Sequence, residues 1–297
     1  MARLLVTGGS GMLGSYAAAQ AAAAGWDVTA TCSGNAVELP GVRVERLDIS
    51  DSVQVTDAVG RIRPDVIIHT AAQAKPDVCE ENKRLAWDTN VVGTDNLARA
   101  AECVCAHFVH VSTDLVFSGE QNPYSEGDHL SPPNYYGLTK AAAEAAVLAS
   151  EIETAIVRTS IIYGPRIFPN LNSFSDRIVE SLRAGKPMTA FTDQRRCPIP
   201  ASNLAEVLLE IAERRLTGVF HAACPESSTR YEFAVKVAAT FGLDASLIVP
   251  ATMDQAPSPA YRPNILILDT SATQARLSTR LLGFAEGILT LVQRTSL

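Results

Sequence analysis

The stretch Arg3-Leu4-Leu5-Val6-Thr7-Gly8-Gly9-Ser10-Gly11-Met12-Leu13-Gly14 begins as an apolar, strand-like run and turns on glycines spaced GxxGxxG. Residues 12–24, rich in alanine, read as a helix that ends at Gly25, a suitable C′ residue. A strand, a glycine turn and a helix in this order bring backbone N–H groups close to a dinucleotide pyrophosphate. Gly8 would permit the tight turn, Gly11 the approach of phosphate and Gly14 the packing of helix on strand. Ser10, Met12 and Leu13 share that turn and are expected cofactor contacts beside the glycines.

Further short apolar runs follow at residues 28–31, 42–47, 66–69, 108–111 and 155–158. Their apolar character is continuous rather than alternating, which indicates strands covered on both faces. Between them, residues 53–62, 84–103 and 136–150 read as helices. The βαβα order predicts a doubly wound α/β fold around a parallel sheet. After about residue 165 the pattern loosens, with a further strand expected at 218–223, a helix at 231–241 and a proline-rich loop at 250–263. The expected division is a dinucleotide-binding domain over 1–165, rejoined by about 196–224. A smaller interleaved lobe for substrate takes 166–195 and 225–297.

With 47% hydrophobic and 19% charged residues, the 297-residue chain has the make-up of an ordinary soluble globular protein. A net charge of −7 argues against general affinity for nucleic acid or anionic membranes. The apolar N-terminal run stops at Thr7-Gly8-Gly9, and no apolar stretch is long enough to span a bilayer, so a cytoplasmic location is expected. The six cysteines are scattered without a framework, as reduced thiols would be. Cys103, Cys105, His107 and His110 invite a metal reading. However, the cysteines end a helix and His110 lies in a strand, so four converging ligands and a metal are not expected.

Chemistry concentrates further along. In Asn134-Tyr135-Tyr136-Gly137-Leu138-Thr139-Lys140, Tyr136 and Lys140 stand four apart and project from one helix face. A free phenol has a pKa near 10, and a nearby ammonium is expected to lower it toward use as a general acid. Tyr135 lies five from Lys140 and is angularly worse. Ser112-Thr113-Asp114 follows the fifth strand, where a hydroxyl can bond a substrate carbonyl. Joined to the glycine turn, these residues imply hydride transfer between a nicotinamide and a carbon. At the ribose end, Thr31-Cys32-Ser33-Gly34-Asn35 holds neither an acid nor an arginine. Ser33 or Asn35 could bond a 2′-phosphate, although no cation there holds it, and the reading leans to NADP over NAD.

With these motifs in hand, the chain resembles the extended short-chain dehydrogenase/reductase superfamily, and within it the dTDP-4-dehydrorhamnose reductases. The likeness spans Pro64 to Ala72, Asn90-Val91-Val92-Gly93-Thr94, Ser112 to Phe117, Tyr136 to Lys140, Arg158-Thr159-Ser160, Asp193-Gln194, Pro198-Ile199 and Arg262-Pro263. It implies a Rossmann fold and an NAD(P)H-dependent reductase acting on the keto group of a nucleotide-activated sugar. Thr113 and Tyr136 would bond the carbonyl, Tyr136 would donate the proton and Lys140 would also hold the nicotinamide ribose. Asp48 and Ile49 would flank the adenine, Ala71 and Ala72 would line the cofactor groove, and Asn90 would support the active-site helix. Asp114 would contact substrate. Arg195, Arg196 and Arg262 are expected diphosphate ligands, because a forked guanidinium suits phosphate.

The superfamily's dehydratases carry a second acid directly after the Thr-Asp pair, where this chain has Leu115, so dehydration is disfavoured. Ile161 stands where the rhamnose-pathway reductases commonly show tryptophan. Lys75-Pro76-Asp77-Val78 and Gly218-Val219-Phe220-His221 also resemble the β regulatory subunit of methionine adenosyltransferase, a relative that binds NADP but serves as a partner. An epimerase holding NAD tightly is a third expectation, and a homodimer is compatible with the resemblance.

Overall fold

The computed structural model describes residues 1–34, 37–168 and 173–292. Seven strands pair in parallel: β1 (Arg3–Thr7), β2 (Asp27–Cys32), β3 (Val42–Arg46), β4 (Val66–His69), β5 (His107–Thr113), β6 (Thr154–Thr159) and β7 (Gly218–His221). Their order across the sheet is 3-2-1-4-5-6-7. Connectivity therefore reverses between β1 and β4, and the crevice beyond those strand ends is where ligands of such sheets collect.

Both sheet faces are covered. The Met12–Ala23 and Ala201–Glu213 helices bury Leu4, Val6, Val28, Ala30, Val109 and Val157 on one face. On the other, the Ser52–Ile62 and Gly93–Val104 helices bury Leu5, Ile67 and Phe108. Alternate residues of one strand thus serve opposite cores, which explains the continuous apolar runs. A third cluster joins the Phe174–Arg183 and Arg230–Thr240 helices to the strand pair Met188–Phe191 and Ile248–Ala251. Ser173 and Thr229 open those two helices through capping boxes with Asp176 and Glu232.

The expected single helix over 84–103 is divided. Lys83–Trp87 and Gly93–Val104 are α-helical, and the turn between them, Asp88–Val92, is a π-helix. Its extra residue per turn swings buried Asn90 inward, where Oδ1 accepts from Gln73 N at 2.8 Å and Nδ2 donates to Thr139 Oγ1 at 2.9 Å. The proline-rich segment is not all loop, since Pro250 sits in Ile248–Ala251, an edge strand that tolerates it.

Candidate active site

The glycine turn forms the floor of the site. Gly8 has φ +76°, and a Cβ on Gly14 would collide with the Gly8 carbonyl, so the helix can sit this close to the turn only with glycine at position 14. Gly9 N donates to Thr31 O at 2.8 Å and Gly11 N to Gly8 O at 2.8 Å, which ties the turn to β2. The result is a glycine-rich cradle at the N-terminus of a 12-residue helix, and it fits the pyrophosphate of a dinucleotide.

Above it, Gly11 to Gly14, Thr113, Tyr136 and Lys140 line one cavity of about 590 Å³. Asn134 fixes the helix carrying the last two: its side chain accepts from Gly137 N at 2.8 Å and donates to Tyr261 O at 2.8 Å. Gly137 lets that helix close on the turn after β5, because any Cβ there would strike the Leu115 carbonyl. Thr113 caps the 3-10 turn Asp114–Val116, and its hydroxyl meets the Tyr136 phenol. Tyr135 lies beneath the Lys83 ammonium and outside the cavity, which leaves Tyr136 as the tyrosine of the site.

One electrostatic expectation is corrected. Burial raises the proton affinity of the Tyr136 phenol, opposed by the Thr113 hydrogen bond and reinforced by the Asp114 carboxylate, so the net shift is upward rather than the lowering expected from an adjacent ammonium. The Lys140 ammonium instead meets His110 Nε2 at 3.1 Å, and burial pushes it down to about 8. Burial also raises the Asp114 carboxyl, despite Arg196 at 3.9 Å and a 2.6 Å hydrogen bond from Ser160.

The opposite wall is basic. Arg196 lines the cavity, but it donates to the carbonyls of Arg195, Pro263 and Asn264. Arg262 is held by Asp77, and Arg195 pairs with Glu232 outside the cavity. Arg230, missed in the sequence, is the more available cation. Its Nε bonds Gln194 Oε1 at 2.9 Å and its guanidinium lies over the Phe174 ring at 4.5 Å, with no carboxylate paired to it among the described residues. Phe174, Gln194, Arg230 and Arg262 also border a second cavity of about 810 Å³.

The family described as RmlD substrate binding domain matches residues 2–297. The chain belongs to this family. Among RmlD-type relatives, the dTDP-4-dehydrorhamnose reductase of Mycolicibacterium smegmatis is 33% identical, covering 93% of this chain and 81% of that protein. Methionine adenosyltransferase 2 subunit beta of Rattus norvegicus is 31% identical over 91% of this chain and 80% of its own. The crystal structure of the dTDP-4-dehydrorhamnose reductase of Bacillus anthracis in complex with NADP superposes with a TM-score of 0.89. It has 27% identity, over 99% of this chain and 100% of that one.

The other expected residues of this RmlD-family chain fall in two groups. Ala72 lines the first cavity, Ala71 N bonds Thr7 Oγ1 at 3.4 Å beside the glycine turn, and Asn90 acts from behind through Gln73 and Thr139. Ser33, Asp48 and Ile49 lie outside that cavity, toward the β2–β3 edge, where Ile49 is buried and Asp48 accepts from Ser50. Asn35 lies outside the described residues. A cation missing from the β2 terminus arrives from β3, since Arg46 is in register with Cys32. Arg43 is paired with Asp27 and Arg61 with Glu45, whereas Arg46 has no partner among the described residues. Val42 and Val44 pack toward the first helix, so strand alternation raises Arg46 on the face that bears the glycine turn.

Cys105 ends its helix in a left-handed conformation and His110 turns to Lys140, and no metal-holding group of His, Cys, Asp or Glu forms among the described residues. No helix among them is long and apolar enough to cross a membrane.

Proposed function

We propose that this chain is an NAD(P)H-dependent reductase of the keto group of a nucleotide-activated sugar. One observation carries the reading: Thr113, Tyr136 and Lys140 converge above the glycine cradle, in a cavity whose far wall is basic. Gly8 to Gly14 would hold the pyrophosphate and Lys140 the nicotinamide ribose. Bound NAD(P)H would supply the hydride to the carbonyl carbon. Thr113 Oγ1 and the Tyr136 hydroxyl would bracket the carbonyl oxygen, and Tyr136 would pass it a proton as negative charge develops. A phenol kept protonated by burial suits that direction.

Arg230 is the proposed diphosphate ligand, with Arg262 beside it, and the nucleoside would extend into the adjoining cavity. Leu115 leaves the site without the second carboxyl that dehydration needs. The division into a cofactor domain and an interleaved substrate lobe is proposed on the same basis, since the third apolar cluster carries Arg230 away from the sheet. NADPH is the proposed preference, supported by Arg46 beside the β2 terminus.

NADPH and NADH oxidation against a panel of nucleotide 4-keto-sugars tests the reading, with turnover of at least one expected. The similarity to methionine adenosyltransferase 2 subunit beta supports one other role, a cofactor-binding partner. Co-purification with a synthetase, with no NADPH consumed on any keto-sugar, would select it.

A further inference from the structure

His110 is three residues before Thr113 on β5, buried completely and not among the residues that line the first cavity. Its neighbours form a polar layer beneath the cofactor cradle. On β5, His110 and Ser112 face the same helix, where they meet Lys140 and Glu144: His110 Nε2 lies 3.1 Å from Lys140 Nζ, and Ser112 Oγ bonds Glu144 Oε1 at 2.5 Å. Two strand residues two apart thus match two helix residues four apart, as the rises of about 3.3 and about 1.5 Å per residue allow.

On the other side, His69 of β4 is in register with His110, and the rings are 5.3 Å apart. Both nitrogens of His69 are taken, Nδ1 by Thr7 Oγ1 at 2.7 Å and Nε2 by Thr94 Oγ1 at 3.0 Å. His69 is pushed down to about 3 by burial, so it is neutral and cannot compete for the ammonium. His110 is also held neutral, by burial and by Lys140. Its Nδ1 has no partner among the described residues, so the Lys140 contact is the polar interaction that orients the ring.

We propose that His110 is a positioning residue: its Nε2 takes a hydrogen bond from Nζ of Lys140 and fixes where, and over what pH range, that ammonium is offered to the cofactor. The proposal rests on the reductase reading for Lys140's role toward the cofactor, but the His110–Lys140 bond is independent of it. The titratable groups around the ammonium are His110 and His69 on the strands, and Tyr136 and Glu144 on its own helix. Cys79 and Glu80 lie on the packed Pro76–Glu81 helix, and Asp114 lies beyond Tyr136. Glu144 is occupied by Arg158 at 2.8 Å and by Ser112, and Glu80 accepts from Tyr135 N at 2.7 Å. Within bonding distance of Nζ, His110 is the acceptor.

Removing an acceptor from a buried ammonium disfavours its charged form, so Lys140 should titrate lower without His110. The full chain, labelled with ¹³C-lysine, is titrated by NMR from pH 6 to 11, with the Lys140 signal assigned through Lys140→Arg. His110→Phe keeps a flat ring without the acceptor, and His110→Gln restores a polar partner. The expected result is a Lys140 midpoint lowered by about one unit in His110→Phe and returned toward the wild-type value in His110→Gln. In parallel, NADPH affinity should weaken above that midpoint, and do so at lower pH in His110→Phe. An unchanged Lys140 midpoint in His110→Phe, with only a lower melting temperature, would overturn the proposal and leave His110 a packing residue. NADPH failing to bind any variant would count against the reductase reading, while the lysine titration still decides the role of His110.

Discussion

Arg262 grips Asp77 with both prongs, Nη2 to Oδ2 at 2.9 Å and Nη1 to Oδ1 at 3.1 Å, and so joins the C-terminal loop to the helix that follows β4. The same carboxylate accepts from Ala260 N at 3.0 Å and from Ser258 Oγ. Residues 258 and 260–262 line the larger cavity, so this clamp sets one wall of the proposed nucleotide subsite.

Asp77→Ala should therefore raise KM for the nucleotide-sugar by about tenfold, ~1.4 kcal/mol, and change kcat little. Its cost in stability should stay near 1 kcal/mol, because Asp77 is 40% exposed and water screens the pair. The Arg262 hydrogen bonds hold the Asp77 carboxyl well below its usual range. A depressed carboxylate stabilises above its unfolded pKa of about 3.9 and loses that contribution as pH falls through the folded value. The stability gap between wild type and variant, measured by urea denaturation, should be flat from pH 5 to 8 and close only in stronger acid.

Arg230→Lys removes the fork but keeps a cation, and Arg230→Ala removes both. If the fork holds a diphosphate, KM should rise about tenfold in the first and more in the second, with kcat nearly preserved. Steady-state kinetics on the active keto-sugar decides this. Equal KM values in all three proteins would remove Arg230 from the site.

Arg46→Ala should weaken NADPH binding by about tenfold and leave NADH unaffected, because only the former brings a 2′-phosphate. Displacement titration with 2′,5′-ADP and 5′-AMP isolates that contribution without any sugar substrate. An equal loss for both nucleotides would refute the assignment.

Glu144 and Arg158 form a pair almost wholly out of water, 1% and 5% exposed, which also fixes Ser112 at the end of β5. Glu144→Gln leaves the guanidinium buried without a counter-charge and should cost about 3–5 kcal/mol in urea denaturation. A loss under 1 kcal/mol would mean that water reaches the pair.

The sheet was legible because its strands carry β-branched residues on both faces and its helices are marked by glycines and alanines. The cradle was legible because GxxGxxG is local. What escaped depends on contacts across the chain. Arg46 stands beside Cys32 only through strand register, 14 positions away in sequence. His110 and Lys140 are 30 residues apart, and nothing local in either segment announces their bond. Arg230 opens the Arg230–Thr240 helix, one residue before the expected start, and its place in the cavity follows from how the third cluster packs. The π turn at Asn90 reads as plain helix because one extra residue hardly disturbs apolar spacing. The capping pair Ser173 and Asp176 was the missed local signal for the Phe174–Arg183 helix.

The central claim is that Tyr136 supplies the proton for carbonyl reduction above the glycine cradle. The most direct test measures NADPH oxidation by wild type and Tyr136→Phe on the same nucleotide keto-sugar, with NADPH affinity measured alongside. The expected result is a fall in kcat of about 10²–10⁴ with NADPH still bound. Full activity in Tyr136→Phe would contradict the account.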